Sequence, residues 1–243
     1  MKQNKYDDKN FFEKYSKMDR SVKGLAGAGE WKTLESMLPD FKDKRVLDLG
    51  CGFGWHCEYA IKNGAKTVTG VDISENMLKV AKDKTNSNIN YIHMPIEDIA
   101  LHDNSFDVVI SSLALHYINS FDDIVNKVSD CLVQGGDFVF SVEHPVFTAY
   151  GTGDWYHDEN GEILHFPVDN YFYEGERNSI FLGEKVIKYH KTLTTYLSAL
   201  LQGGFELTGV VEPQPAEELL FTVQGMKDEL RRPMMLIIAA RKK

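Results

Sequence analysis

The sequence predicts an α/β protein: a doubly wound, mostly parallel sheet with helices on both faces, closed by an antiparallel strand near the C-terminus. Three observations predict it. From Arg45 onward, short runs rich in Val, Ile and Leu alternate with segments of helical period. A glycine-rich turn follows the first run, and two further β-rich runs end the chain.

The core strands are expected at 45–50, 67–72, 89–93, 106–112 and 137–143, each apolar enough to be buried on both faces. The clearest helix follows Ser120. Phe121, Ile124, Val125, Val128, Cys131 and Leu132 recur at helical spacing, Ser120 can cap the start, and Asp122 and Asp123 suit the positive end of the dipole. Gly135-Gly136 is expected to stop that helix. A second helix opens at Ser74 and turns Met77, Leu78 and Ala81 inward.

After His144-Pro145 the alternation breaks, and residues 146–190 hold ten aromatic side chains. Asn160-Gly161 is a type I′ turn signal, so a β-hairpin excursion is expected in this insertion after the fifth strand. Helical period returns at Leu193, Tyr196, Leu197, Leu200 and Leu201, and strands at 205–211 and 234–241 complete the sheet. The chain therefore reads as one domain: a helical segment over 1–44, a core over 45–145, an insertion over 146–190 and a closing part over 191–243.

Charge bears on partners. The formal net charge is -9, from 27 Lys and Arg against 36 Asp and Glu, which repels phosphate backbones and anionic lipid surfaces. Neither nucleic acid nor a membrane is expected as a partner. The first ten residues lack the apolar run of an export signal, and the run from Met234 to Ala240 is too short to span a bilayer. Three cysteines without paired spacing suit reduced thiols in the cytoplasm.

Val46 to Gly54 runs a buried strand into a glycine turn and then a helix. Glycines there allow positive φ and let a ligand lie against backbone N–H groups at a helix N-terminus. Asp72 ends the next strand 22 residues after Gly50, close to the offset at which an acid meets ribose hydroxyls. The spacing is GxGxG, with Trp55 where a dinucleotide turn places its third glycine. Asp48 disfavours a pyrophosphate and suits an ammonium, so the ligand reads as a nucleoside carrying a cation.

Val46 to Gly54, Val71-Asp72-Ile73-Ser74 with Met77-Leu78, and Ser105 to Val109 resemble the ordered motifs of class I S-adenosylmethionine-dependent methyltransferases, in the small-molecule branch called type 11. The resemblance is close over 45–145 and implies a Rossmann-like fold with S-adenosylmethionine as cofactor. It implies that Asp48, Gly50 and Gly52 border the methionine part, Asp72 binds the ribose hydroxyls and Ile73 packs on the adenine, with Cys51 and Met77 also expected at the cofactor. Glu97 and Asp98 resemble the acidic stretch around the adenine amino group, although Met94-Pro95 stands where the family often has Gly-Asp. Tyr15 to Trp31 and Glu143 to Pro213 also resemble a bacterial subset of these enzymes.

A sulfonium already activates its methyl group, so the protein needs mainly to align a nucleophile and exclude water. Ligands bind beyond the carboxyl ends of strands in such sheets, which points to Ser112 and Leu113 at the cofactor and to His116, Glu143 and His144 as catalytic candidates. Tyr15 and Arg20 lie on a leading segment that can fold over the cofactor, Arg20 toward its carboxylate or into a surface ion pair. The remaining histidines lack metal-ligand spacing, so no metal is expected, and Cys51, His56 and Cys57 read as packing residues. The aromatic insertion reads as a lid over the acceptor or as a second small core or dimer surface. The competing functions are a binding protein for the same cofactor without turnover and a nicotinamide-dependent oxidoreductase.

Overall fold

A computed structural model describes residues 3–84 and 89–243. The strands in chain order are β1 (Arg45–Leu49), β2 (Thr67–Asp72), β3 (Ile89–His93), β4 (Phe106–Ser112), β5 (Leu132–Glu143), β6 (Tyr156–His157), β7 (Ile163–His165), β8 (Gly175–Phe181), β9 (Glu184–His190), β10 (Phe205–Val211) and β11 (Met235–Lys242). The main helices are α1 (Lys9–Tyr15), α2 (Asp19–Val22), α3 (Trp31–Met37), α4 (Trp55–Lys62), α5 (Glu75–Lys84), α6 (Phe121–Cys131), α7 (Pro145–Tyr150) and α8 (Leu193–Gln202).

Seven strands form one sheet in the order β10-β11-β5-β4-β1-β2-β3. β1 to β5 are mutually parallel, and β11 runs antiparallel to both β5 and β10. The mostly parallel, Rossmann-like arrangement with an antiparallel C-terminal strand is as the sequence predicts. Order reverses at β1, between β2 and β4, and such a reversal opens a crevice at the carboxyl ends of the strands.

The α6 stripe works as expected: Phe121, Ile124, Val125, Val128 and Cys131 are all buried, and the Phe121 ring meets Tyr196 of α8 at 4.9 Å. Each such aromatic or aliphatic side chain contributes about 1.5–3 kcal/mol through burial. Ser120 accepts a hydrogen bond from the Asp123 N–H at 3.4 Å. Gly135-Gly136 does not end this helix, however. α6 stops at Cys131 and β5 begins at once, so the glycines lie inside the strand, where its register with β4 jumps from Phe106↔Leu132 to Val108↔Asp137. The extra residues form a bulge, which Gly135 accommodates at φ 74°.

The insertion holds two hairpins rather than one. β6 and β7 pair around Asn160-Gly161, but only Gly161 has positive φ (85°), and its N–H donates to the Asp158 carbonyl. That is a type I turn closed by a left-handed glycine, because type I′ needs positive φ at both central residues. The two-residue turn with both central φ positive joins β8 to β9 at Leu182 (54°) and Gly183 (80°). Leu182 is a costly residue in that conformation, which hid the turn from sequence reading. No helix among the described residues is long and apolar enough to cross a membrane.

Candidate active site

β1 delivers the chain into the glycine turn with Leu47, Asp48 and Leu49 buried. Gly50 takes φ 78°, and a Cβ there would collide with that of Ala114, so the turn after β4 can close against it only because Gly50 has no side chain. Both Gly50 and Cys51 donate backbone hydrogen bonds to the Val71 carbonyl, which ties the turn to β2. α4 starts at Trp55 with no side-chain cap, leaving its first N–H groups free to meet an anion.

Asp72 closes β2 and locks the turn. Its Oδ2 accepts from the Gly52 N–H and its Oδ1 from the Ser74 N–H, both at 2.8 Å. Burial raises its pKa, against the pull of those two backbone bonds. A carboxylate has about four acceptor positions, so two remain for ligand hydroxyls.

Above the turn lies a cavity of about 590 Å³, within the range of about 300–1,000 Å³ usual for small-molecule sites. Of the residues expected at the cofactor, Gly50, Cys51, Gly52, Asp72, Ile73, Met77, Glu97, Ser112, Leu113, Tyr15 and Arg20 all line it. So do His116 and Glu143. Three expected residues do not: Asp48, Asp98 and His144 lie outside its wall.

The physical reasons differ. Asp48 sits beneath the turn, 1 % exposed, with Oδ2 accepting a hydrogen bond from Cys57 Sγ at 3.3 Å. Burial pushes its pKa up to about 7, so it is a poor permanent counter-ion for an ammonium. Asp98 ends a single 3-10 turn and is exposed, while its neighbour Glu97 turns to the cavity. His144 is extended, as Pro145 dictates, but it caps α7: Nδ1 accepts from the Val146 N–H at 3.0 Å. Its Nε2 lies 2.8 Å from a Glu212 carboxylate oxygen, a charge contact off the line of a hydrogen bond.

Arg20 is neither a surface residue nor wholly free. Its guanidinium bonds at 2.5 Å to Glu30, which is 2 % exposed, and that buried partner raises its pKa against the opposing desolvation. Further N–H donors of Arg20 remain on the cavity wall. Cys51 and Cys57 are buried free thiols, and burial lifts Cys51 to about 11, far from a reactive thiolate.

Two covers close the crevice. From the N-terminus, Asp7 caps α5: its carboxylate accepts from Ser74 Oγ (2.6 Å) and the Asn76 (3.0 Å) and Glu75 (3.2 Å) N–H groups. From the insertion, the β8–β9 hairpin brings Phe181, Val186, Ile187 and Tyr189 to the cavity. The covers hold each other. Gln3 exchanges hydrogen bonds with the Ile187 backbone, Lys14 Nζ donates to the Leu182 carbonyl at 2.9 Å, and the Phe11 and Phe181 rings meet at 5.8 Å. Sequence reading missed Gln3, Tyr6, Asp7, Tyr117 and Lys188. No local pattern marks them, since Asp7 and Ser74 meet across 67 residues.

The donor set suits a nucleoside with an amino-acid tail: free carboxylate positions on Asp72, a carboxylate at Glu97, uncapped N–H groups on α4 and guanidinium donors at Arg20. A Cβ on Gly52 would meet only Met77 Cε, at 3.6 Å, so the missing side chain leaves a cradle there.

Comparison with known proteins accords with this geometry. A family model described as a methyltransferase domain matches residues 47–140. A crystal structure from Listeria monocytogenes, assigned as an S-adenosylmethionine-dependent methyltransferase, is 59% identical with a TM-score of 0.86, over 90% of this chain and 99% of that one. An S-adenosylmethionine-dependent methyltransferase from Mesorhizobium loti is 40% identical with a TM-score of 0.83, over 90% of this chain and all of that one (100%). Two curated relatives match less of their own length. The malonyl-[acyl-carrier protein] O-methyltransferase of Buchnera aphidicola is 38% identical over 44% of this chain and 43% of its own. The tRNA U34 carboxymethyltransferase of Hahella chejuensis is 32% identical over 65% of this chain and 45% of its own.

Proposed function

The chain belongs to the class I S-adenosylmethionine-dependent methyltransferases, and on that footing we propose that it methylates a small-molecule acceptor held inside the covered cavity. The observation that carries this reading is the enclosure itself. The strap and the hairpin roof the carboxyl ends of the strands, leaving a space of about 590 Å³ for cofactor and acceptor together. That volume suits a metabolite and not a folded nucleic acid. The net charge of -9 further disfavours a tRNA substrate, even though one relative acts on tRNA.

When bound, S-adenosylmethionine supplies a methyl group activated by its sulfonium and leaves as S-adenosylhomocysteine. The protein's own residues do the rest. Asp72 holds the ribose hydroxyls, Ile73 and Met77 pack on the adenine with Glu97 beside it, and Arg20 with the α4 N-terminus receives the carboxylate. Asp48 acts from below, by fixing the turn through Cys57. The two covers exclude water, so the nucleophile that meets the methyl group is the aligned acceptor. The insertion thus acts as a lid within one catalytic domain.

The cavity is completed by one chain, which suits a monomer or a homodimer with independent sites, and the free buried cysteines suit the cytoplasm. Calorimetry with S-adenosylhomocysteine and NAD tests the cofactor end; micromolar binding of the first and none of the second is expected. Turnover is tested by supplying S-adenosylmethionine with a metabolite extract. Accumulation of S-adenosylhomocysteine with a one-methyl mass gain on an extract component is expected. Tight binding without turnover across broad extracts would make the protein a cofactor-binding regulator instead.

A further inference from the structure

We propose that the Glu143 carboxylate grips the methyl acceptor and takes its proton, that Lys188 positions it, and that the acceptor is therefore a hydroxyl compound. This rests on the methyltransferase reading. Asp72 closes β2 and Glu143 closes β5, with β1 and β4 between them. Three strand spacings set the two carboxylates about 14 Å apart at opposite ends of one cavity. With the ribose at Asp72, the reacting end of the ligand lies toward Glu143.

The other candidates at that end are unsuited. His144 is outside the wall and its Nδ1 is used as a helix cap. His116 accepts the Glu143 backbone N–H through Nδ1 at 3.4 Å, which assigns its ring proton to Nε2 and leaves no free basic nitrogen. Burial, with Lys188, Lys191 and Arg20 nearby, also keeps that ring neutral. Glu143 lines the cavity with its side chain 18% exposed, and its Oε1 accepts from Lys188 Nζ at 2.6 Å. Its Oε2 is buried and has no hydrogen-bond partner among the described residues. A buried carboxylate oxygen left so is costly, and a donor on the acceptor relieves it. The terminal torsion of a glutamate is soft, so either oxygen can meet that donor.

A protonated amine would sit beside the Lys188 ammonium and the cofactor's sulfonium, whereas a neutral hydroxyl meets no such repulsion. In the transfer, the hydroxyl oxygen bonds to the methyl carbon as the methyl–sulfur bond breaks with its electron pair left on sulfur. The hydroxyl proton passes to Glu143 and then to solvent as product leaves.

The test uses phenol and anisole, which differ in the hydroxyl proton that the second lacks, and catechol against 1,2-dimethoxybenzene. Binding to the protein saturated with S-adenosylhomocysteine is read by ligand-observed NMR. Hydroxyl probes should bind at least about tenfold tighter than their methyl ethers, the scale of a hydrogen bond to a charged group. Glu143→Gln, which keeps a neutral acceptor, should weaken that preference, and Glu143→Leu/Lys188→Met, which removes the acceptor and leaves no unpaired charge, should abolish it. Both should bind S-adenosylhomocysteine as before. Lys188→Met should weaken the preference and Lys188→Arg should restore it. Equal binding of each pair, binding of neither, or a preference that survives loss of Glu143 overturns the proposal. Failure of the unaltered protein to bind S-adenosylhomocysteine would instead overturn the methyltransferase reading.

Discussion

Replacing Asp72 with alanine separates two tasks that one carboxylate performs. Two of its acceptor positions hold the Gly52 and Ser74 N–H groups, each at 2.8 Å, and two are left for the ribose. Losing the hydrogen bonds from the ribose to a charged acceptor costs about 1.5–3 kcal/mol, which weakens S-adenosylhomocysteine binding about 10- to 150-fold. The same substitution strips two backbone donors of their partner, one of them at fully buried Ser74, and lowers folding stability by about 1–3 kcal/mol. Calorimetric titration at 25 °C reads the first effect and urea unfolding of the ligand-free protein reads the second. Unchanged affinity removes Asp72 from the ribose. Weaker binding with unchanged stability would show that the turn is held by something other than this clamp.

Asp48→Asn tests the buried acid. Burial lifts Asp48 to about 7, so between its ordinary 3.8 and that value the folded chain keeps a proton the unfolded chain has lost. Stability falls as pH rises through the window, and the variant should gain about 2–3 kcal/mol over the natural chain on going from pH 5 to pH 8, measured by urea unfolding at both. A pH-independent difference would reject the shifted carboxyl. Asp7→Ala should speed S-adenosylhomocysteine release in stopped flow and cost about 1 kcal/mol of stability as a lost helix cap. Burial raises the Asp7 pKa, but hydrogen bonds from Ser74, Asn76, Glu75 and Asn4 outweigh it, so this contribution is present above the ordinary carboxylate range and lost as pH falls below it. An unchanged release rate would mean the strap does not gate the cofactor. Gly50→Ala forces a Cβ against Ala114 at positive φ and should destabilise by about 1–3 kcal/mol in urea unfolding; a change under about 0.5 kcal/mol would contradict the close approach.

The core was legible because its signals are local. The first two strand runs, the glycine turn and the acid at the end of β2 lie within 28 residues, and none of the strand runs needs a tertiary partner to be recognised. Direction along the strand was legible too, placing Ser112, Leu113, His116 and Glu143 at the cavity. Which way a side chain faces was not. In β1, Asp48 and Asp72 of the next strand carry equal promise on paper, yet Asp48 is directed under the turn against Cys57. His144 looked like a mouth residue until the first turn of α7 claimed its imidazole. A leading segment over the cofactor was legible, but the residues that fasten this N-terminal strap were not. Its contacts with Ser74 and Ile187 span 67 and 184 residues, and a polar helix start such as Asn4 to Asp8 looks the same whether it is solvated or docked.

An open α/β sheet leaves its ligand crevice exposed to water, and this chain closes it with two segments drawn from far apart in the sequence. Those segments are fastened to each other. The Gln3 side chain acts as a short extra strand on β9, donating to the Ile187 carbonyl and accepting from its N–H. Each such bond is worth only about 1 kcal/mol net, so together they close the roof without fixing it shut. β9 is paired with β8 along its whole seven-residue length, and the next residue after Ile187 is Lys188, whose ammonium sits on Glu143. The contact that joins the two covers and the contact at the end of β5 therefore lie on adjacent residues of one hairpin.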